Sequence, residues 1–272
     1  MFLHKQLPCP ALQSYIEQIW VFESSTGIPP GDLALIVPNG MLKMIIPYKS
    51  AISSSRIGFA DTHRESSIIL IGQMDTPATI VSEGNCGSIG IEFKPFAAYR
   101  FFQVAMHELT NKVLTLETIL GKAGRQLQEV VANETKVHRK IALTEQFLLR
   151  QLQVLNKEDV IVDYAAQQIF TNNGLITMEE LSRKLGYTRR YLDIRFAQCM
   201  GLNPKTLAAV SRFQLFYKAY NQREVIHFFG KDLYDYYYDQ SHFIKEFKRF
   251  TGFSPTRYAR QDNAFGRIFY KS

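Results

Sequence analysis

The sequence predicts an α+β protein: a small β-barrel or sandwich with appended helices, followed by an all-α part. Short apolar runs broken by turn residues fill the chain up to residue 95, and apolar residues at intervals of three and four follow. At about 100–200 residues per domain, a chain of 272 residues corresponds to about two domains. We expect these domains at 1–155 and 156–272, with the polar residues 156–159 at the boundary.

The strand-rich region contains six short apolar runs separated by turn-forming residues such as glycine, proline and asparagine. Regular spacing of short strands favours a barrel or sandwich over alternating strands and helices. Residues 12–19 fit either a strand or a short helix. The six predicted strands are Ile19–Phe22, Leu33–Val37, Leu42–Ile46, Ile68–Ile71, Thr79–Val81 and Ser88–Phe93.

Three helices are predicted next, at 96–106, 116–131 and 136–155. In the last of them Ile141, Leu148, Leu152 and Leu155 lie on one face. From this stripe we expect the helices within 96–155 to mediate homodimerisation.

Basic charge is concentrated in the second part of the chain. Residues 1–155 carry 14 Lys+Arg and 13 Asp+Glu, whereas residues 156–272 carry 18 and 12, a net charge of +6. From Gln240 onwards the net charge is +5. This distribution is typical of a nucleic-acid-binding module joined to a nearly neutral domain.

Several function classes find little support in the sequence. The cysteines at 9, 86 and 199 are scattered, and the six histidines lack the spacing of metal ligands. With no Gly-rich phosphate loop and no nucleophile elbow, we expect no catalytic residues, no enzymatic activity, no metal and no cofactor. Without an apolar run of membrane-spanning length or a secretory signal, the expected location is the cytoplasm.

An internal repeat with an offset of 51 residues is the most informative feature. Residues 188–209 align with 239–260, and each copy reads as a capped helix, a terminal glycine, and a second cap followed by proline. A duplicated helical hairpin with a purely structural role also fits this repeat. The aligned pairs are Thr188 and Asp239, Phe196 and Phe247, Gly201 and Gly252, Asn203 and Ser254, and Pro204 and Pro255.

The first copy completes a helix–turn–helix unit. Thr177 is placed to cap one helix, Gly186 to turn the chain, and Thr188 to cap a second helix. Such a second helix enters the major groove of DNA, where arginine binds guanine. Its buried face is Leu192, Phe196 and Cys199, and its outward residues are Arg189, Arg190, Asp193 and Arg195.

The second copy has the same division into a buried and a polar face. The inward residues are Phe243, Phe247 and Phe250, and the outward residues are Gln240, Ser241, His242, Lys245, Lys248 and Arg249. The helix that begins at Pro204 separates the two copies. We expect it to hold them at the spacing of successive major grooves, about 34 Å apart.

These residues resemble the signature of AraC-type bacterial transcription regulators, whose DNA-binding domain contains two helix–turn–helix units. The segment from Asp239 to Pro255, DQSHFIKEFKRFTGFSP, carries most of the resemblance, which covers about 160–260. Residues 1–155 look like the sensor-type domain that accompanies such units. Their motifs are Tyr15-Ile16, Trp20, Val37-Pro38-Asn39-Gly40, Gly90-Ile91-Glu92-Phe93-Lys94-Pro95, and Glu108-Leu109 followed by Leu116.

The chain departs from the family pattern at two places. Ile194 stands where the family usually has an arginine, two residues before Phe196, and Arg195 follows it. Before Asp239 the family usually has a Leu-Ala…Gly-Tyr helix and turn, and residues 231–238 contain neither the small Ala nor the Gly of that pattern. We therefore expect the first helix of the second unit, about 225–238, to be shortened or irregular.

The resemblance and the helix faces together give the expected DNA contacts. Contacts to base edges are expected from Arg189, Arg190, Asp193, Gln240, Ser241 and Lys245. Contacts to phosphates, or to both, are expected from Arg195, Lys205, Arg212, His242, Lys248, Arg249, Thr256 and Arg257. Tyr234, Tyr236, Tyr237 and Tyr238 are expected to pack in the protein rather than stack on bases.

Three functions remain compatible with the sequence. The first is a ligand-responsive DNA-binding regulator, the second is a regulator whose first domain only dimerises or binds a protein, and the third is an enzyme or sensor with a vestigial DNA-binding tail. An apolar cavity with a few polar groups would favour the first, a filled interior the second, and paired titratable groups the third. Expected partners are double-stranded DNA, a small-molecule effector, a second copy of the chain, and RNA polymerase.

Overall fold

The computed structural model describes residues 1–29, 33–60, 62–64, 66–155, 158–221, 237–261 and 263–270. Within them every β-strand lies before residue 116 and every α-helix after residue 115. This order confirms the predicted α+β class.

Eleven strands within the described residues form two antiparallel sheets. The larger sheet has the order β1-β2-β10-β5-β8-β11, and the smaller has β3-β9-β6-β7, with β4 also paired to β9. The strands are β1 (Phe2–Gln6), β2 (Ile16–Ser24), β3 (Gly27–Ile28), β4 (Leu35–Ile36), β5 (Lys43–Pro47), β6 (Ser53–Arg56), β7 (Thr62–Arg64), β8 (Ile69–Ile71), β9 (Ala78–Glu83), β10 (Cys86–Phe93) and β11 (Val113–Thr115).

All six predicted strands are confirmed, and five strands are additional: β1, β3, β6, β7 and β11. They lack an apolar run, and β6 is mostly serine, so the alternation that predicts a strand is absent. The undecided segment 12–19 contains the end of a 3-10 turn at Pro10–Leu12 and the start of β2.

The two faces of the larger sheet have different surroundings because side chains alternate along each strand. In β10, Ile89, Ile91 and Phe93 belong to the main hydrophobic core, which also contains the helices. Ser88 and Glu92 point to the opposite face, where they line a cavity.

Ten α-helices follow the strands in the described residues. They are α1 (Leu116–Leu120), α2 (Lys122–Asn133), α3 (Val137–Leu155), α4 (Val160–Thr171), α5 (Met178–Leu185), α6 (Arg189–Met200), α7 (Pro204–Asn221), α8 (Gln240–Thr251), α9 (Pro255–Tyr258) and α10 (Ala264–Tyr270). The predicted helix at 116–131 is interrupted at Gly121, which has φ 55° and ψ −126°, a conformation that favours glycine.

The predicted helix at 96–106 is wrong. This segment forms two 3-10 turns, Ala98–Arg100 and Met106–Leu109, joined by irregular chain. The consecutive Phe101 and Phe102 are both fully buried, with ring centroids 5.0 and 5.7 Å from that of Phe93. The apolar residues here cover the sheet in an irregular segment instead of forming one face of a helix.

One continuous hydrophobic core joins the two parts of the chain. It contains residues of the larger sheet together with buried residues of α4, α5 and α6, such as Ile169, Leu181 and Phe196. The Tyr99 hydroxyl accepts a hydrogen bond from the backbone N–H of Asp159 at 2.6 Å. Residues 156 and 157 of the predicted boundary lie outside the described residues, and the two expected domains pack directly against each other.

The stripe on α3 is partly used inside the chain. Ile141 and Leu148 are buried in the main core, and Leu152 packs against its edge. Homodimerisation stays a prediction. Because Ile141, Leu148 and Leu152 already pack inside the chain, they do not form an exposed apolar surface for a second copy. In the part of the chain that the structure describes, no helix has both the length and the apolar composition needed to cross a membrane.

Candidate functional site

The first helix–turn–helix unit is built from local capping signals. The Thr177 hydroxyl accepts a hydrogen bond from the Glu180 N–H at 3.1 Å, and the Glu180 carboxylate accepts one from the Thr177 N–H at 2.8 Å, which forms a capping box at the start of α5. Gly186 ends α5 in the left-handed conformation, with φ 72°. Thr188 then caps α6 by accepting from the Tyr191 N–H.

The internal repeat is confirmed as a repeated local structure. Thr188 and Asp239 each cap a helix through their side chains, and Gly201 and Gly252 end those helices with φ values of 82° and 79°. After each glycine a second cap begins the next helix: the Asn203 side chain accepts from the Thr206 N–H, and the Ser254 hydroxyl accepts from the Arg257 N–H.

Helices α6 and α8 each separate a buried face from an exposed face. The buried residues are Leu192, Phe196 and Cys199 on α6, and Phe243, Phe247 and Phe250 on α8. Burial beside Asp159 raises the pKa of the Cys199 thiol to about 12, so this cysteine is an inert packing residue at neutral pH.

Most of the expected DNA contacts lie on the exposed surface. The Arg189 guanidinium lies 4.0 Å from the Asp193 carboxylate, one helical turn away; the Arg189 side chain is largely exposed and that of Asp193 is half-buried. The other expected contacts that are exposed are Arg190, Gln240, Ser241, Lys245, Lys248, Lys205, Thr256 and Arg257.

Arg195 and Arg212 have protein partners that hold them away from that surface. Arg195 Nε donates to the Asp159 carboxylate at 2.9 Å, and this carboxylate also caps α4. Arg212 is largely buried and donates to the Glu246 carboxylate and to the Gly174 carbonyl, both at 2.8 Å. These two arginines join helices of the protein instead of facing a ligand.

His242 and Arg249 are partly engaged within the protein. His242 Nε2 lies 3.5 Å from the Glu246 carboxylate. Arg249 Nη2 donates to the Asp75 carboxylate at 3.0 Å, which links α8 to the β-rich part of the chain.

The tyrosine cluster divides between packing and exposure. Tyr237 is buried, its ring lies 5.2 Å from that of Phe243, and burial raises the pKa of its hydroxyl above the usual range. Tyr238 is 91% exposed. Tyr234 and Tyr236 lie outside the described residues, as does most of the expected helix at 225–238.

The C-terminal ends of α6 and α8 both contact the β-rich domain, through residues that are hydrogen-bonded to or next to one another. The Thr110 hydroxyl donates to the Gly201 carbonyl at 2.7 Å. The neighbouring Asn111 donates to the Asp75 carboxylate at 2.7 Å, and Asp75 in turn binds Arg249 of α8. We call the set Asp75, Thr110 and Asn111 the interdomain clamp.

A cavity of about 600 Å³ lies on the face of the larger sheet opposite the main core. Its lining is mostly apolar and comes from both sheets and from α4, α7 and α10. Lining residues include Gln18, Trp20, Phe22, Lys43, Ile45, Ser88 and Glu92 from the larger sheet, Ser54, Ala78 and Ile80 from the smaller one, and Phe170, Gln214, Lys218, Phe265 and Phe269 from the helices.

Charged side chains gather at one part of the cavity lining. Glu92 is buried and accepts a hydrogen bond from the Gln18 amide at 2.8 Å. Burial lowers the pKa values of Lys43 and Lys5, while the Glu92 carboxylate opposes both shifts, and Lys218 of α7 lowers that of Lys5 further. Over the whole lining, four positive side chains, Lys5, Lys43, Arg56 and Lys218, stand against the two carboxylates of Glu17 and Glu92.

Trp20 and helix α10 form an aromatic wall of the cavity. The indole lies directly over Gly90, where an added Cβ would be 2.0 Å from the ring. Phe269 packs edge-on against Trp20 with a centroid distance of 5.2 Å, and Phe265 against Phe22 at 5.4 Å. Asn263, at the start of α10, donates to the hydroxyls of Tyr217 and Tyr258.

Four polar atoms of the lining are buried and have no hydrogen-bond partner among the described residues. They are Trp20 Nε1, Ser54 Oγ, Thr76 Oγ1 and Ser88 Oγ. Buried polar groups in native proteins nearly always have a partner. These atoms are thus available to a bound molecule or to ordered water.

Sequence reasoning missed the cavity and the clamp. The alternation of Ser88, Gly90 and Glu92 with apolar residues in β10 was a signal for a sheet face that does not join the core. Within the described residues there is no group of three or more His, Cys, Asp or Glu that could hold a metal ion.

Comparison with known proteins gives a partial family match and distant structural neighbours. Residues 4–115 match a family described as a domain of unknown function, DUF6597. A search of curated protein sequences finds no match.

Among solved structures, ToxT from Vibrio cholerae is 12% identical with a TM-score of 0.44, over 95% of this chain and 98% of ToxT. The AraC-like transcriptional activator CuxR is 16% identical with a TM-score of 0.26, over 79% of this chain and 85% of CuxR. Both proteins are AraC-family transcription regulators.

The ion pair of Arg212 generates a prediction about stability. Arg212→Met leaves the Glu246 carboxylate largely buried without its main partner, so we expect the free energy of unfolding to fall by about 3–5 kcal/mol in urea titrations. Lys248→Met, an exposed substitution on α8, should change it by less than about 0.5 kcal/mol. The double variant Arg212→Met, Glu246→Met should recover much of the loss. Unchanged stability in Arg212→Met would contradict the structural role.

Proposed function

We propose that this chain is a sequence-specific, double-stranded-DNA-binding transcription regulator controlled by a small ligand. The observation that carries the proposal is the repeated unit, in which α6 and α8 are both capped, ended by a left-handed glycine and followed at once by another capped helix. Each helix buries one face and exposes a polar face. This layout allows the exposed face to enter a major groove.

The exposed residues of α6 and α8 have the chemistry of base recognition. Arginine and lysine donate to guanine, glutamine pairs with adenine, and aspartate accepts from cytosine. The proposed base contacts are Arg189, Arg190, Asp193, Gln240, Ser241 and Lys245.

Phosphate contacts are proposed for four exposed residues: Lys205, Lys248, Thr256 and Arg257. Arg195 and Arg212 are left out because their guanidinium groups bind Asp159 and Glu246 inside the protein. His242 and Arg249 would reach DNA only after leaving Glu246 and Asp75. The net charge of +6 in residues 156–272 supports this electrostatic role.

The cavity supports control by a ligand, because it is largely apolar and has polar groups at only a few places. An acidic group bound beside Lys5, Lys43 and Lys218 would stabilise the charged forms of these lysines. An acid with an apolar body suits this lining. ToxT has been solved with an unsaturated fatty acid bound, and a molecule of that class is a suitable first probe.

The interdomain clamp offers a route from the cavity to the DNA-binding helices. Val113, Met74 and Thr76 line the cavity, and in sequence they lie within two residues of Asn111 or directly beside Asp75. A ligand that moves these lining residues would also move the groups that hold Gly201 and Arg249. Ligand binding would then change the relative orientation of α6 and α8.

The alternative is a DNA-binding regulator whose first domain only dimerises or binds a protein, without a ligand. A homodimer and a contact with RNA polymerase are further proposals and are compatible with either version. Binding of a small molecule in the cavity distinguishes the two.

Salt dependence tests the DNA-binding part. With the full chain and a random-sequence duplex, the logarithm of affinity should fall steeply with the logarithm of salt concentration, by about 0.9 per phosphate contact. Lys248→Ala should reduce this slope by about 0.9, because one contact is lost. Lys122→Ala, an exposed lysine of α2, is the matched control and should leave the slope unchanged. The absence of any affinity for the duplex would refute DNA binding, and a salt-independent affinity would refute the proposed phosphate contacts.

Fluorescence of Trp20, the single tryptophan of the chain, tests the ligand part. Palmitoleate below its micelle concentration should change the emission, because the indole lines the cavity. Lys43→Gln should weaken binding by about ten- to a hundred-fold, since a hydrogen bond to a charged group contributes about 1.5–3 kcal/mol.

Lys122→Gln and the uncharged alcohol of the same chain length are the controls. An emission change that is equally strong with the alcohol would argue against an acid-specific site. No emission change with either molecule would favour the version without a ligand.

A further inference from the structure

Helix α6 exposes an apolar strip beside its arginines. Tyr191 and Ile194 are 38% and 50% exposed, and Tyr187, in the turn before α6, is 39% exposed. The two tyrosine rings stack on each other, with centroids 4.7 Å apart and planes 18° apart. Tyr191 and Ile194 thus place apolar side chains on the exposed surface of α6 next to Arg190.

Ile194 lies on the exposed face of α6 that also carries Arg190, one of the proposed base contacts. It follows Arg190 by four residues and Tyr191 by three, so the three side chains lie on one face of the helix. Arg195 does not replace it, because the Arg195 guanidinium binds the Asp159 carboxylate behind α6. The exposed side chain on this face at this turn of α6 is therefore aliphatic.

The internal repeat shows what the second unit has at the same place. An offset of 51 residues takes Ile194 to Lys245, which is exposed on α8. A lysine at this position donates to the acceptors of guanine, whereas isoleucine has neither a donor nor an acceptor. The two units therefore present different chemistry at equivalent positions.

The C5-methyl group of thymine is the apolar feature that bases expose in the major groove. We propose that Ile194 reads a thymine methyl group, so that the half-site bound by α6 requires an A·T pair where the half-site bound by α8 takes a G·C pair. This inference rests on the proposed DNA-binding function and adds the base chemistry of one position. It predicts that the site of one chain is not a simple direct repeat.

Replacement of thymine by deoxyuridine tests the inference, because it removes only the methyl group. The probe is the duplex that the full-length protein enriches most from a random library, with each thymine replaced singly. Burial of one methyl group corresponds to about a four-fold change in affinity. At one position in the half-site of α6, we expect the wild-type chain to lose about that factor.

Three variants complete the experiment. Ile194→Ala should bind the unmodified duplex about four-fold more weakly and should not respond to deoxyuridine at that position. Ile194→Arg should select guanine there in a new enrichment. Val154→Ala, which changes an exposed residue of α3, should behave like the wild-type chain.

Two results would overturn the inference while leaving DNA binding intact. One is an Ile194→Ala variant that keeps the wild-type response to deoxyuridine, and the other is a wild-type chain that responds at no position. A library from which the protein enriches no sequence would contradict the proposed function itself, and the inference with it.

Discussion

The packing of helix α6 against the β-rich domain is the contact on which the rest of the structure depends. Leu192, Phe196 and Met200 belong to the same core as the larger sheet, and burial of each such side chain contributes about 1.5–3 kcal/mol. Because its back is fixed in this core, α6 has a defined outward face. The Arg195–Asp159 pair and the Thr110–Gly201 hydrogen bond hold the same helix at its middle and its end.

The larger sheet serves two purposes because its two faces differ. One face supplies the core that supports the helices, and the other lines the cavity together with α7 and α10. The same strands therefore contact both the proposed ligand site and the proposed DNA-binding domain. Asp75, next to the lining residue Met74, reaches Arg249 on α8. Only a few contacts therefore separate the residues that line the cavity from both α6 and α8.

Local features of the site follow from the sequence, and long-range ones do not. The caps at Thr188 and Asp239 and the glycines at 201 and 252 act within one or two helical turns, so their residue types predict them. The partners of Arg212 and Arg249 lie 34 and 174 residues away, and the helix pattern gives no sign of them. Both were expected at phosphates for that reason. The cavity depends on how two sheets and three helices meet, which no local pattern encodes.

In the proposed complex, α6 and α8 bind successive major grooves on one side of a DNA duplex. Hydroxyl-radical footprinting of the full-length chain on its most enriched duplex tests this claim directly. We expect protected segments about one helical turn, 10–10.5 base pairs, apart on one face of the duplex. Uniform protection along the duplex, or a single protected segment with no second one a turn away, would contradict it.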